Sequence, residues 1–245
     1  MLRLNSDLGE SFGPWKMGMD EAVMPLVDMA NIACGFHASD PLTMQYTLGL
    51  AKKHGVSVGA HPSYPDLVGF GRRSLACSMQ EITALVSYQV GALLGMATVQ
   101  GVEVSYIKPH GALYNDMMVN EAIFTAVAEV ARGYGMKLMI LSGAANARYE
   151  TLAKTLGVEL LYEVFADRAY TREGLLVARS KEGAVLHSEE AVKARIDLLL
   201  REGKLVCETG DTLALKADAL CVHGDNEKAV ELVRTLRAYL DAWTS

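Results

Sequence analysis

Short apolar segments alternate with longer amphipathic segments along the chain of 245 residues. The short segments predict strands at 2–5, 31–34, 56–60, 104–107, 138–141, 158–162 and 219–222. The longer segments have helical spacing, at 20–29, 41–54, 79–100, 119–132, 145–156, 189–202 and 226–242. Strands that alternate with helices pair in parallel through right-handed crossovers, so the pattern predicts an α/β fold.

Two of the predicted helices begin with recognisable capping residues. Asp40 precedes Pro41, which combines an N-cap with proline at the first helical position, and Ser78 and Glu81 have the spacing of a capping box. The stretch 163–187 is rich in Arg and Gly, and together with the stretch 204–215 it predicts a decorated loop or a hairpin. Because no linker or low-complexity tract divides the chain, we expect one domain over residues 1–245.

Polar side chains follow nearly every predicted strand, which favours a closed barrel over an open sheet. A doubly wound sheet would concentrate such residues at one switch point, whereas a barrel gathers all its strand ends on one face. The sequence therefore predicts an irregular, seven-stranded β/α barrel. Four of the six histidines follow strands, and only His54 and His187 lie elsewhere; the four are His37, His61, His110 and His223.

The residues at these strand ends predict either of two kinds of site. Asp7 and the histidines could hold a divalent metal that activates water. Alternatively, a histidine could act as general base while Lys108 stabilises an oxyanion. No H-x-x-x-H or H-E-x-x-H pair decides between them, so the metal is left open. His223 and Asp225 have the spacing of a base and its orienting carboxylate, although Asp225 could instead cap the last helix.

Composition narrows the range of partners and compartments. A net charge of −6 argues against a nucleic-acid or anionic membrane partner. Four scattered cysteines without a C-x-x-C pair indicate free thiols, and the polar start of the chain is unlike a signal peptide, so we expect a cytoplasmic protein. The uncharged stretch 82–102 contains several polar residues and predicts a buried or interface helix rather than a membrane span.

Several residues bear on substrate and cofactor. Arg72, in a glycine-flanked loop, and Arg168 present planar guanidinium groups that suit a carboxylate. Cys34 lies near His37 and is a possible nucleophile, although a cysteine in a strand is more often simply buried. No G-x-x-x-x-G-K-[ST] or G-x-G-x-x-G loop is present, so an ATP site would have to be supplied by another chain.

Six stretches spread over the whole chain resemble the LamB/YcsF family, which includes one component of the prokaryotic ATP-dependent 5-oxoprolinase. They are NSDLGESFG at 5–13, NIACGFHA at 31–38, GAHPSYPD at 59–66 together with GFGR at 69–72, KPHGALY at 108–114, EVFADR at 163–168 and VHGDN at 222–226. The resemblance implies a barrel of the glycoside hydrolase/deacetylase type and hydrolysis of 5-oxoproline to L-glutamate coupled to ATP hydrolysis. It also implies two partner subunits, B and C, with the ATP site on or shared with them.

The resemblance further implies roles for individual residues. Asp7, His61 or His110 would position or deprotonate water, Lys108 would stabilise developing charge, and Arg72 would hold the substrate carboxylate. The remaining expected substrate-binding residues are His37, Glu163, Arg168, His223 and Asp225. Two departures from the family pattern, Ser39 in place of glycine and Glu227 in place of proline, lie at helix starts.

Two other functions remain open at this point. One is a metal-dependent amidase or deacetylase that acts alone. The other is a non-catalytic subunit that delivers a lactam or a sugar to a partner.

Overall fold

Seven parallel strands close into a barrel in the computed structural model, which describes residues 2–178, 181–186 and 188–244. The barrel strands are β1 (Arg3–Leu8), β2 (Met29–Ala33), β3 (Ser57–His61), β4 (Val104–Ile107), β5 (Lys137–Leu141), β6 (Leu160–Phe165) and β9 (Ala219–Cys221). Each pairs with the next in this order, and β9 pairs with β1 to close the circle. The predicted seven-stranded β/α barrel is therefore confirmed.

Helices surround the barrel and supply the crossovers between its strands. They are α1 (Asp20–Val23), α2 (Pro41–His54), α3 (Met79–Gln100), α4 (Gly111–Met117), α5 (Glu121–Tyr134), α6 (Asn146–Leu156), α7 (Glu189–Glu202) and α8 (Glu227–Thr244), with a 3₁₀ turn at Met24–Leu26. An antiparallel hairpin of β7 (Lys204–Val206) and β8 (Thr212–Ala214) stands apart from the barrel, as predicted for 204–215.

The barrel interior changes from apolar to polar along its axis. Five apolar side chains inside the barrel form a cluster of their own, whereas the main core lies between the barrel and the helices. The five are Met29, Tyr106, Met139, Leu161 and Ala219. Two residues further along their strands, Asn31, Glu163 and Cys221 are buried in turn. Side chains two apart in a strand point to the same face, so these polar groups form the next layer toward the carboxyl ends.

Several predicted boundaries differ from the structure. The predicted helix at 20–29 is wrong in its second half, because Pro25 lies in a 3₁₀ turn and β2 already begins at Met29. The short helix α4 was not predicted, and β6 begins and ends later than the predicted strand at 158–162. Within the stretch 163–187, Arg179, Ser180 and His187 lie outside the described residues.

Both predicted capping arrangements are present. Asp40 accepts hydrogen bonds from the backbone N–H groups of Leu42 and Thr43, and Ser78 and Glu81 form a reciprocal capping box. Ser39, where the resemblance led us to expect glycine, adopts a φ of 76°. That conformation favours glycine, which explains the expectation of glycine at this position.

Helix α3 is the one helix in the described part of the chain that is long and apolar enough to cross a membrane by length and composition. Core helices of soluble proteins pass the same test. One face of α3 is buried, through Ile82, Val86, Val90 and Leu93. This packing agrees with the prediction of a buried or interface helix.

Candidate active site

A cavity of about 780 Å³ opens at the carboxyl ends of the barrel strands. Most of the predicted site residues line it, although they come from distant parts of the sequence. They are Asp7, His61, Arg72, Lys108, His110, Arg168, His223 and Asp225. This is the face where barrel loops converge, so the strand-end pattern correctly predicted which residues meet.

Lys108 forms the floor of the cavity and is paired with two carboxylates. Its Nζ lies 2.8 Å from Oδ1 of Asp7 and 2.8 Å from Oε1 of Glu163. Burial favours the neutral amine, but these carboxylates and the nearby Cys221 outweigh it and raise the pKa of Lys108 well above its usual range. The side chain is therefore a permanent, positioned cation.

Asp7 is held by an amide network inside the barrel. Asn31 donates from Nδ2 to Oδ1 of Asp7 and to Oδ1 of Asn5, both at 2.8 Å, and accepts from the hydroxyl of Tyr106 at 2.7 Å. Burial raises the pKa of Asp7, but His61 and Lys108 reverse this effect and hold it well below its usual range. Asp7 is thus ionised and fixed.

The rings of His61 and His110 lie next to each other in the wall of the cavity. Nδ1 of His61 donates to the carbonyl of Lys108 at 2.7 Å, and Nε2 of His110 donates to the carbonyl of Phe70 at 2.9 Å. The remaining ring nitrogens, Nε2 of His61 and Nδ1 of His110, lie 3.0 Å apart. Burial and the neighbouring His37 and His61 lower the pKa of His110 well below its usual value.

His37 and Glu163, which were expected to bind substrate, are not among the residues that line the cavity and lie behind residues that do. His37 lies behind His110, with the two rings parallel and their centroids 3.8 Å apart. Glu163 lies beneath Lys108 and accepts a hydrogen bond of 2.7 Å from the hydroxyl of Tyr114. Both residues position their neighbours.

Arg72 lies on the rim of the cavity. Its guanidinium carbon is 5.2 Å from the centre of the Phe70 ring, and Phe70 adopts a φ of 54° that turns its carbonyl toward His110. A Cβ atom on Gly111 would lie 2.5 Å from the carbonyl oxygen of Gly71, so only glycine allows this loop to approach.

The contacts of Arg168, His223 and Asp225, which also line the cavity, differ in part from those expected. Arg168 is buried and donates to the carbonyl of Val177 at 2.6 Å, so it also holds the loop that follows β6. Nδ1 of His223 lies 3.5 Å from Oδ2 of Asp167, so the carboxylate beside His223 is not that of Asp225. Asp225 does not cap the last helix either, because the side chain of Asn226 accepts the hydrogen bond from the N–H of Ala229.

Glu10 lies in the cavity, although the sequence analysis gave it no role. Cys34, the possible nucleophile, does not line the cavity. Glu10 lines the cavity, and its Oε1 is 3.3 Å from Nε2 of His37 and 3.6 Å from Nδ1 of His110. Its place in the polar run after β1 was the available signal. Cys34 is fully enclosed, and burial raises the pKa of its thiol to about 12, so it is a poor nucleophile.

The closed parallel barrel and the Asp–Lys–His cluster at its carboxyl ends define a β/α-barrel protein with a polar cavity at the ends of its strands. The LamB/YcsF family model matches residues 2–244. The chain belongs to the LamB/YcsF family.

Curated relatives and a solved structure agree with this membership. The 5-oxoprolinase A subunit of Vibrio cholerae is 52% identical over 240 residues, which cover 98% of each chain. A second such relative, the 5-oxoprolinase A subunit numbered 2 of Pseudomonas putida, is 51% identical over 242 residues, covering 98% of this chain and 94% of that protein. The crystal structure of the lactam utilization protein from Thermus thermophilus superposes with a TM-score of 0.91 at 38% identity, covering 99% and 97% of the two chains.

Proposed function

We propose that this chain is one component of an ATP-dependent 5-oxoprolinase that opens 5-oxo-L-proline to L-glutamate together with two partner subunits, B and C. Its relatives are named as the A subunit of 5-oxoprolinase, and that name implies a multisubunit enzyme. The structural observation that carries the proposal is the Lys108 ammonium, which is fixed between Asp7 and Glu163 on the floor of a polar cavity. A preorganised cation of this kind stabilises an oxygen that becomes negative when a carbonyl is attacked.

Activation by ATP suits the chemistry of the substrate. A five-membered lactam resists opening in water, so phosphorylation of its amide oxygen provides the driving force. The sequence lacks a nucleotide-binding loop of either common type, which favours partners that supply the ATP site. Consumption of ATP also favours a cytoplasmic location.

The activated lactam is converted to glutamate in two hydrolytic steps. Water adds to the activated carbonyl carbon, and the C–N bond then breaks as the nitrogen takes a proton, which leaves an acyl phosphate. A second water hydrolyses this acyl phosphate to the free carboxylate and inorganic phosphate. Asp7, His61 or His110 positions or deprotonates the attacking water, because all three line the cavity beside Lys108.

The rim of the cavity binds the unreactive part of the substrate. Arg72 pairs with the carboxylate of 5-oxoproline, since its guanidinium borders the cavity. Arg168, His223 and Asp225 line the cavity as well and complete the substrate-binding wall.

The direct experiment measures glutamate released from 5-oxoproline and ATP, first with this chain alone and then with candidate B and C subunits. Glutamate formed only in the full mixture, with ADP in equal amount, is the expected result. No glutamate in either mixture, with all proteins folded, would contradict the proposal.

A second candidate is a metal-dependent amidase or deacetylase that acts alone, and the cluster of Glu10, His61 and His110 favours it. Turnover of a lactam or an acetamide without ATP would support this alternative. A third possibility, a protein that only delivers substrate to its partners, is distinguished by the histidine variants described in the Discussion.

A further inference from the structure

Three side chains on the cavity wall have donor atoms that converge on one point. One ligand atom from each of Glu10, His37, His61 and His110 lies within 4.8 Å of the others. The three converging side chains are His61 through Nε2, His110 through Nδ1, which is 3.0 Å from that atom, and Glu10 through Oε1, which is 3.6 Å from Nδ1 of His110. We propose that they bind one divalent transition-metal ion of the Zn²⁺ type. The site goes beyond the proposed function, because metal binding is independent of substrate, ATP and partners.

The hydrogen bonds of the two histidines leave lone pairs facing each other. A carbonyl oxygen can only accept, so Nδ1 of His61 and Nε2 of His110 each carry a proton, and a ring with only that one proton has its lone pair on the facing nitrogen. The facing nitrogens, 3.0 Å apart, then both carry lone pairs. Two lone pairs at that distance repel unless a cation lies beside them, and a metal ion supplies it.

The spacing of the donor atoms fits a tetrahedral ion. With bonds of about 2.0–2.1 Å, ligand atoms of a tetrahedral zinc site are about 3.3 Å apart. The observed separations are 3.0 Å between the two nitrogens and 3.6 Å between Nδ1 of His110 and Oε1 of Glu10. Two imidazoles and one carboxylate also form a donor set that suits borderline transition metals better than Mg²⁺ or Ca²⁺.

His37 supports this site without being one of its ligands. The lone pair of an imidazole nitrogen lies in the plane of its ring, and the rings of His37 and His110 are parallel at 3.8 Å with an interplanar angle of 5°. An ion in the plane of His110 is therefore out of the plane of His37. Instead, Nε2 of His37 lies 3.3 Å from Oε1 of Glu10, where it orients the carboxylate.

The backbone carbonyls of Lys108 and Phe70 complete the outer shell of the site. Such partners fix the tautomer and orientation of ligating histidines in metalloproteins. The three ligands line the cavity, whereas His37 does not, so an ion held by them would border the cavity. A water bound there would have a lowered pKa.

Metal binding by the full-length chain tests the proposal directly. After removal of bound metal with a chelator, the protein is titrated with Zn²⁺, and with Co²⁺ as a spectroscopic probe. We expect one ion per chain, visible Co²⁺ absorption typical of a tetrahedral N/O site, and a higher melting temperature in the presence of Zn²⁺. Glu10→Gln and His61→Gln should weaken binding about 100-fold or more, while His54→Gln, which removes an exposed histidine at the end of α2, should bind like the parent.

Three outcomes would overturn the metal site. One is the absence of stoichiometric Zn²⁺ and of Co²⁺ absorption in the folded parent protein, which would leave a shared proton as the cation between the two rings. The others are retained binding in folded Glu10→Gln, and equal loss in His54→Gln. Circular dichroism shows whether each variant is folded, and the Zn²⁺-induced thermal shift of the parent protein tests the site without any variant.

Discussion

The Nζ atom of Lys108 lies 2.8 Å from Oδ1 of Asp7, although the two residues are 101 positions apart in the sequence. Glu163 contacts the same ammonium from a third barrel strand. Removing one partner of a buried ion pair leaves a charge without compensation and costs about 3–5 kcal/mol. Replacing any one of these three residues should therefore affect both the stability of the barrel and the chemistry of the cavity.

Lys108→Met should strongly slow glutamate formation by the assembled complex. Loss of a preorganised cation that stabilises an oxyanion costs about 100-fold or more in turnover. The measurement is the rate of ADP and glutamate release, with Lys193→Met as the control because Lys193 makes a surface pair with Glu189. Unchanged turnover in folded Lys108→Met would remove the lysine from the mechanism.

His61→Ala and His110→Ala should separate catalysis from delivery. If these residues position or deprotonate water, kcat of the complex falls by about 100- to 10,000-fold while KM for 5-oxoproline changes little. His54→Ala should match the parent protein, because His54 is exposed at the end of α2. Full activity in both cavity variants would instead favour a non-catalytic protein that delivers substrate to its partners.

Asp20→Asn should change how stability depends on pH. Burial, together with the charge of Glu10, outweighs the hydrogen bond from the N–H of Gly9 and raises the pKa of Asp20 from 3.8 to about 6. Between these two values the folded state binds more protons than the unfolded state, so the free energy of unfolding falls as pH rises from about 4 to about 6. Asparagine cannot ionise, and we expect the variant to lose this slope and to gain about 1 kcal/mol at pH 7.

Urea unfolding at a series of pH values measures this effect. Asp40 provides a comparison of opposite sign, because hydrogen bonds from the N–H groups of Gly13 and Thr43 lower its pKa. Its contribution is present above the unfolded pKa and is lost as pH falls, so Asp40→Asn should be less stable than the parent at pH 7. Parallel pH profiles for Asp20→Asn and the parent protein would show that Asp20 is not the titrating group.

Gly59→Ala and Gly95→Ala should have opposite effects on stability. A Cβ atom at position 59 would lie 2.1 Å from the ring of Tyr106 inside the barrel, whereas one at position 95 would meet nothing within 4 Å. We expect Gly59→Ala to destabilise by about 1–3 kcal/mol through overpacking. Gly95→Ala should stabilise helix α3 by about 0.5–1 kcal/mol, since alanine is the better helix former.

Thermal unfolding of both alanine variants checks this pair of predictions. Tyr106 also donates to Asn31, which holds Asp7, so Gly59→Ala should lower activity of the complex as well. Equal melting temperatures for the two variants would mean that the ring of Tyr106 moves aside without cost.

The alternation of apolar and amphipathic segments determined the barrel, because strand and helix periodicities are local properties of the chain. The polar residue after each strand determined the contents of the cavity, since parallel strands of a barrel end on one face. Thus Asp7, His61, Lys108 and His110 could be placed together from the sequence alone.

Only the tertiary structure decided which of these groups touch. The relative stagger of the strands and the path of each loop place Glu163 under Lys108, His37 behind His110, and Asp167 rather than Asp225 beside His223. None of these contacts follows from spacing along the chain, because a shift of one or two residues between neighbouring strands changes every partner across the barrel. The positions of the facing nitrogens of His61 and His110 likewise depend on the backbone carbonyls of Lys108 and Phe70. Both carbonyls are distant in sequence from the histidine that they bind, and Phe70 lies in a strained loop.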